Sequence, residues 1–260
     1  EHVRVERRGD GVLRLHLDRP DRRNALDDAM VATLVGEVEA AGVDEAVRAI
    51  LITAEGEHFC SGFDIVTRNA EDGPRPRAGS IQRRLPGTAH RLVPAVCTTQ
   101  VPVVVAARGW VAGIGLHLAA AADFPVVAED ARVWEPFTQR GFTPDSGGTW
   151  LLPRLVGLAR ARELLLLGRE LSGAEAAEWG LAHRAWPTAE VDAEVIGHLW
   201  LSLRSPEDVA GQGWIFDIEI DEPRRGHPVV RHDAVAVDGA AAIERLRRGL
   251  ERGRERQVDA

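Results

Sequence analysis

The feature that most limits the fold of this chain is an alternation of short apolar, β-branched runs with stretches of helical spacing. Val3 and Val5, then Val12, Leu13, Leu15 and Leu17, lie either side of Gly9-Asp10-Gly11, a strong hairpin signal. Residues 27–40 change period: Met30, Leu34, Val35 and Val38 share one helical stripe, with Asp27 or Asp28 at its start. Further buried strands are expected over 47–53, 101–107 and, more weakly, 124–127, with helical patterns over 80–98 and 115–122. From residue 146 onward the pattern is mostly helical, broken near Gly157, Gly168, Pro187, Ser205 and 222–229. Short strands alternating with helices, then a helical tail, define an α/β core followed by a helical segment. A chain of 260 residues is long enough for one large core domain, alone or with a small appendage. Residues 69–80, rich in Ala, Glu, Gly, Pro and Arg, form the one candidate mobile loop.

Composition excludes several chemistries. The 32 basic residues are all arginine and no tyrosine occurs, so neither a Schiff-base lysine nor a phenolic acid is available. The two cysteines, Cys60 and Cys97, make neither a disulfide framework nor a Cys-rich zinc site, and none of the nine histidines has metal-ligand spacing. The 40 acidic residues outnumber the basic ones, which argues against a nucleic-acid partner. The most basic stretch, 245–256, is interleaved with Glu251 and Glu255 and reads as a solvated helix face. No apolar run is long enough to span a membrane, and the polar start at Glu1 lacks a signal-peptide core and an initiator Met. The expectation is a trimmed, cytoplasmic protein.

Three loops have the small residues that chemistry at the backbone requires. Two share one design, a buried strand running into a small-residue turn that opens a helix. One leads from Ile50-Leu51-Ile52-Thr53 to Cys60-Ser61-Gly62-Phe63-Asp64, the other from Val103-Val104-Val105 to Gly109-Trp110-Val111-Ala112-Gly113-Ile114-Gly115. Such turns expose N–H donors, and two aimed at one point make an oxyanion hole. Gly113-x-Gly115 is no dinucleotide loop, because Leu118 stands at the third glycine position. In the third loop, Gly141-Phe142-Thr143-Pro144-Asp145-Ser146-Gly147-Gly148, Asp145 or Ser146 is expected to cap the helix that follows. No Gly-x-Ser-x-Gly elbow occurs, so a serine hydrolase lacks its nucleophile.

With these loops the chain resembles the crotonase superfamily, the enoyl-CoA hydratase/isomerase family. The matching stretches are Leu17-Asp18-Arg19-Pro20-Asp21-Arg22-Arg23-Asn24-Ala25-Leu26, Phe59-Cys60-Ser61-Gly62-Phe63-Asp64, residues 102–123, residues 141–157 and Leu171-Ser172-Gly173-Ala174-Glu175 through Leu181. The resemblance implies a ββα spiral core over 1–190 and a helical segment over 191–260 used to form a homotrimer or a dimer of trimers. It implies an acyl-CoA thioester substrate, with coenzyme A part of the substrate and no resident cofactor. The thioester carbonyl would be held by the N–H groups of Phe63 and Ile114. The CoA moiety would lie near Arg22, Arg23, Ala25 and the Ser61, Gly62, Asp64, Ile65 turn, and arginines must supply its positive partners. Gly113, His117, Phe137 and Phe142 would border the acyl group, as would Trp110 and Trp134 where these aromatics are not simply packing.

The chain departs from the hydratase pattern. Of the two glutamates that branch uses, the first falls on His117 and the second on Phe137; Glu135 replaces the second only if the loop shifts by two residues. Asp145 matches the carboxylate of isomerase branches, and Pro144-Asp145-Ser146-Gly147-Gly148-Thr149-Trp150 looks like that of the epoxyphenylacetyl-CoA isomerases. An apolar neighbour such as Phe137 would desolvate Asp145 and make it a better base. The resemblance thus implies an enoyl-CoA isomerase of fatty-acid or aromatic-acid breakdown. The alternatives are a hydratase with substituted acid/base residues and a non-catalytic acyl-CoA binder. The 4-chlorobenzoyl-CoA dehalogenases pair an Asp nucleophile with a His base, which here would be Asp145 and His90.

Overall fold

The N-terminal alternation forms a hairpin in the computed structural model, which describes residues 2–7, 9, 11–65, 85–192, 195, 217–219 and 231–233. Strand β1 (Val3–Arg7) pairs antiparallel with β2 (Val12–Leu17), Val3 opposite Leu17 and Arg7 opposite Leu13. The helical stripe becomes α1 (Asp28–Ala41), whose start is fixed by the Asp27 carboxylate accepting from the Met30 N–H at 2.8 Å. Its buried residues, among them Met30, Leu34, Val35 and Val38, are those the spacing selects.

The remaining strands of the main sheet are β3 (Ala49–Ala54), β4 (Val103–Ala107), β6 (Phe124–Ala128) and β9 (Arg184–Trp186), all parallel, in the order β1-β2-β3-β4-β6-β9. Strands β3 and β4 are buried along their whole length, which explains their unbroken apolar sequence. A second, three-stranded sheet comprises β5 (Trp110–Ala112), β7 (Arg132–Trp134) and β8 (Leu171–Ser172). Helices α2 (Leu92–Thr98), α3 (Ile114–Ala121), α4 (Gly148–Leu165) and α5 (Gly173–Glu178) complete the described core. Helix α5 starts with a capping box, Ser172 and Glu175 bonding each other's backbone N–H. No helix among the described residues is long and apolar enough to cross a membrane.

The chain divides into two units, 1–203 and 204–260. The helical tail expected over 191–260 is only sampled here. The described stretches within the second unit, β10 (Asp217–Glu219) and β11 (Arg231–Asp233), are paired antiparallel strands rather than helix. The loop expected over 69–80, the start of the helical pattern at 80–84 and the basic stretch 245–256 lie outside the described residues.

One consequence of the β2–β3 pairing is measurable. His16 on β2 is buried, with Nδ1 2.6 Å from the Thr53 hydroxyl and Nε2 3.2 Å from the Glu55 carboxylate. Burial holds its pKa below the ordinary histidine value, opposed by the Glu55 hydrogen bond. The unfolded chain therefore takes up the proton first. The stability this site contributes is complete above the unfolded value of about 6.5 and is lost as pH falls through the lower folded value. Wild type should lose more urea resistance than His16→Gln as pH falls from about 7 to about 5; equal losses would contradict the assignment.

Candidate active site

The two small-residue turns are brought side by side by short backbone pairings. Cys60 forms a parallel bridge with Val111, the Cys60 N–H donating to Trp110 O and the Ala112 N–H to Cys60 O, both at 2.9 Å. Both turns use glycine in left-handed backbone, Gly62 at φ 114° and Gly113 at φ 54°. A Cβ at Gly113 would stand 3.8 Å from the Gly62 Cα, and one at Gly62 would stand 3.6 Å from Ala112 O. The residues that follow these glycines are Phe63 and Ile114. Leu26 donates to Gly62 O at 2.9 Å and accepts from the Asp64 N–H at 2.8 Å, so the intervening Phe63 N–H points to the opposite edge. Ile114 opens α3, and the N–H of a first helical residue has no acceptor within its own helix.

A third segment, Trp134-Glu135-Pro136-Phe137, wraps this junction. Trp134 O accepts from the Gly113 N–H at 3.0 Å. The Phe137 ring lies 3.7 Å from the place a Gly113 Cβ would occupy and stacks on the His117 ring, centroids 6.1 Å apart at 12°. Phe137 thus packs on Gly113 and His117. The Asp145 side chain is 41% exposed. His117, expected to border the acyl group, is fully buried instead, its Nε2 3.0 Å from Oε2 of an equally buried Glu135. Glu135 is thus the buried partner of His117.

The third loop also departs from expectation. The N-cap of α4 is Gly147, and no side chain bonds the cap, so neither Asp145 nor Ser146 caps this helix. The Ser146 hydroxyl instead donates to Asp145 Oδ1 at 2.7 Å. Gly147 packs on α2, where its Cβ would stand 3.2 Å from Val93 Cβ. That packing sets the loop against the turn Ala89–Arg91 that precedes α2. His90 Nε2 lies 3.6 Å from Asp145 Oδ2, an ion-pair distance beyond hydrogen-bond reach. That buried nitrogen has no hydrogen-bond partner among the described residues. Gly148 in turn packs on the His117 ring, which ties the start of α4 to α3 as well.

The residues expected near the CoA moiety also converge. The Ser61 N–H donates to Arg23 O at 3.0 Å and its hydroxyl to Arg22 O at 3.4 Å. Arg22 and Arg23 are exposed, and Ala25 O accepts from Arg19 at 3.1 Å. Burial lowers the pKa of His58, and the charge of nearby Arg23 adds to that lowering. Asp64 is 7% exposed, and its carboxylate is committed to Arg19 at 2.8 Å, so it fixes the turn rather than offering a free charge. The Ile65 N–H bonds Phe63 O at 2.9 Å. Phe142 lies exposed, while Trp110 and Trp134 pack on each other at 5.7 Å with Arg132 3.8 Å above Trp110. Asn24, singled out only as part of a motif, is the buried anchor of this region. Its carbonyl accepts from the Arg19 N–H at 2.8 Å, and its amide donates to Glu55 O at 2.9 Å and His58 O at 2.6 Å. Asn24→Ala strands these groups and should cost about 3 kcal/mol in urea unfolding; a loss under about 0.5 kcal/mol would contradict that role.

Comparisons with known proteins identify the family. The Enoyl-CoA hydratase/isomerase family profile matches residues 7–210. The chain is 40% identical over 172 residues to the 1,2-epoxyphenylacetyl-CoA isomerase of Escherichia coli, spanning 66% of this chain and 64% of the relative, which is just under two thirds of its length. It is 30% identical over 197 residues to a 4-chlorobenzoyl coenzyme A dehalogenase of an Arthrobacter species, spanning 75% of this chain and 69% of that one. An enoyl-CoA hydratase structure from Mycobacterium avium subsp. paratuberculosis superposes with a TM-score of 0.69 at 30% identity, covering 80% of this chain and 78% of the other. The chain belongs to the enoyl-CoA hydratase/isomerase family, with the crotonase fold.

Proposed function

We propose that the chain is an enoyl-CoA isomerase that moves a proton between Cα and Cγ of a 3-enoyl-CoA thioester. The observation that carries this reading is the Asp145 carboxylate, which is free of its own helix cap and faces His90 at 3.6 Å. Asp145 takes the Cα proton, and the C–H electron pair passes into a dienolate whose oxygen is held by the Phe63 and Ile114 N–H groups. The same carboxylate returns a proton to Cγ, giving the conjugated 2-enoyl thioester. One carboxylate is enough because the oxyanion hole carries the charge between the two transfers. His90 steadies the carboxylate and closes to hydrogen-bond distance when substrate is bound. Arg22 and Arg23 hold the CoA phosphates from outside the Ser61-Gly62 turn. The chain works as a homotrimer or a dimer of trimers in the cytoplasm. Conversion of 3-enoyl-CoA to its conjugated isomer, followed by the absorbance of the product, tests the proposal; tight binding without conversion would instead support a non-catalytic acyl-CoA binder.

The His90–Asp145 approach favours a second reading, with Asp145 as nucleophile and His90 as base, as the 30% identity to a 4-chlorobenzoyl-CoA dehalogenase would also allow. Asp145 would displace chloride from the aromatic ring, and His90 would activate the water that cleaves the resulting ester. Chloride release from 4-chlorobenzoyl-CoA with no isomerase activity would select it.

A further inference from the structure

The buried pair His117–Glu135 is used by neither mechanism, and its surroundings give it a role. We propose that it is a positioning pair for the oxyanion hole: it clamps the Gly113–Ile114 turn and keeps an unbalanced charge from standing behind the enolate. The inference rests on Ile114 being one of the two donors. Two successive residues, Trp134 at the end of β7 and Glu135 just after it, grip the first turn of α3. Trp134 O holds the Gly113 N–H at 3.0 Å, and Glu135 Oε2 meets His117 Nε2 at the same distance. His117 is in turn tied back to the turn, its own N–H donating to Gly113 O at 3.0 Å. Gly113 is therefore fixed at both its donor and its acceptor, and Ile114 lies between the fixed points.

Both side chains are 0% exposed, walled by the Phe137 ring on one side and by Gly148 packing on the imidazole on another. The second atoms of the pair, His117 Nδ1 and Glu135 Oε1, find no hydrogen-bond partner among the described residues. A pair built only for stability would be expected to satisfy these atoms or to be replaced by apolar packing. His117 lies three residues along α3 from Ile114, less than one helical turn. In so dry a setting a carboxylate without its imidazole would oppose any anion forming at the Ile114 N–H.

A 3-oxoacyl-CoA tests this without turnover, because its bound enolate has its own near-ultraviolet absorbance and places its charge in the oxyanion hole. Removing His117 while keeping the carboxylate, as in His117→Gln, should weaken enolate binding by about tenfold or more. Glu135→Gln, which keeps a hydrogen-bonding partner and removes the charge, should stay within about threefold of wild type. The double variant His117→Gln/Glu135→Gln should bind more tightly than His117→Gln, since the uncompensated carboxylate is gone. A double variant no better than the single one would overturn the proposal, as would His117→Gln binding like wild type. If His117→Gln does not fold, Glu135→Ala decides. Loss of the clamp should weaken enolate binding about tenfold in the folded protein, and unchanged binding would contradict it. Failure of wild type to bind the enolate would instead defeat the oxyanion-hole reading on which this rests, whereas enolate binding without isomerisation would defeat only the proposed reaction.

Discussion

Asp145→Ala should lower kcat for isomerisation of 3-enoyl-CoA by about a hundredfold to ten-thousandfold, the span typical of a lost general acid/base. KM should stay within about threefold, because the carboxylate acts on the proton in flight and contributes little to holding the ground state. The side chain is partly exposed, bonded by Ser146 and close to His90, so its removal leaves no buried charge and no open helix cap. The variant should therefore fold normally, and lost activity reports chemistry. Asp145→Asn, which keeps the shape and the Ser146 contact, should be as inactive. His90→Ala should lower kcat less than either, since it removes the partner and leaves the carboxylate. Equal kcat in wild type and Asp145→Ala would mean that some other group moves the proton.

Gly115→Ala should produce the second large effect, through the backbone. A Cβ at this position would stand 2.6 Å from Cys60 Cβ, 2.7 Å from its Sγ and 2.9 Å from its carbonyl oxygen. The carbonyl oxygen belongs to the Cys60–Val111 pairing and the Cβ is fixed by the same backbone, and Cys60 is itself fully buried, its thiol pushed up to about 12 by that burial. Nothing there gives way easily, so the two turns must part. Overpacking of this kind costs about 1–3 kcal/mol, and parting the turns also separates the Phe63 and Ile114 donors. Loss of one such donor is worth about 2.7–4 kcal/mol of transition-state stabilisation. Gly115→Ala should therefore show a lowered melting temperature and a kcat reduced by at least about tenfold. A lowered melting temperature with unchanged kcat would show that the donors do not depend on this contact.

Much of this frame could be read from residue order because it is periodic. The hairpin, α1, β3, β4 and α3 each bury a stripe or run long enough to reveal its period, and each lies within a few residues of its expected place. Strands β5, β7, β8 and β9, two or three residues long, show no period at all. Yet β5 and β7 are what position Gly113. The two small-residue turns were legible because a strand running into small residues leaves a local trace. The pairing of His117 with Glu135 left none, since the residues are 18 apart on different elements and meet only through tertiary packing. Asp145 shows the opposite error. Its sequence neighbourhood satisfies every local rule for a helix cap, but Ser146 and Gly147 in left-handed backbone turn the chain so that Gly147 takes that place. Asn24 was visible only as a motif letter, because its three partners come from separate segments.

The central claim, that this site moves a proton and does not add water, is tested most directly by giving wild-type enzyme 3-enoyl-CoA in deuterium oxide and reading the product by mass and NMR. The product should be a conjugated 2-enoyl-CoA that has gained no water and carries deuterium at Cγ where exchange has occurred. Unchanged 3-enoyl-CoA, together with water added at the β-carbon when crotonyl-CoA is supplied instead, would contradict the claim and would make the chain a hydratase.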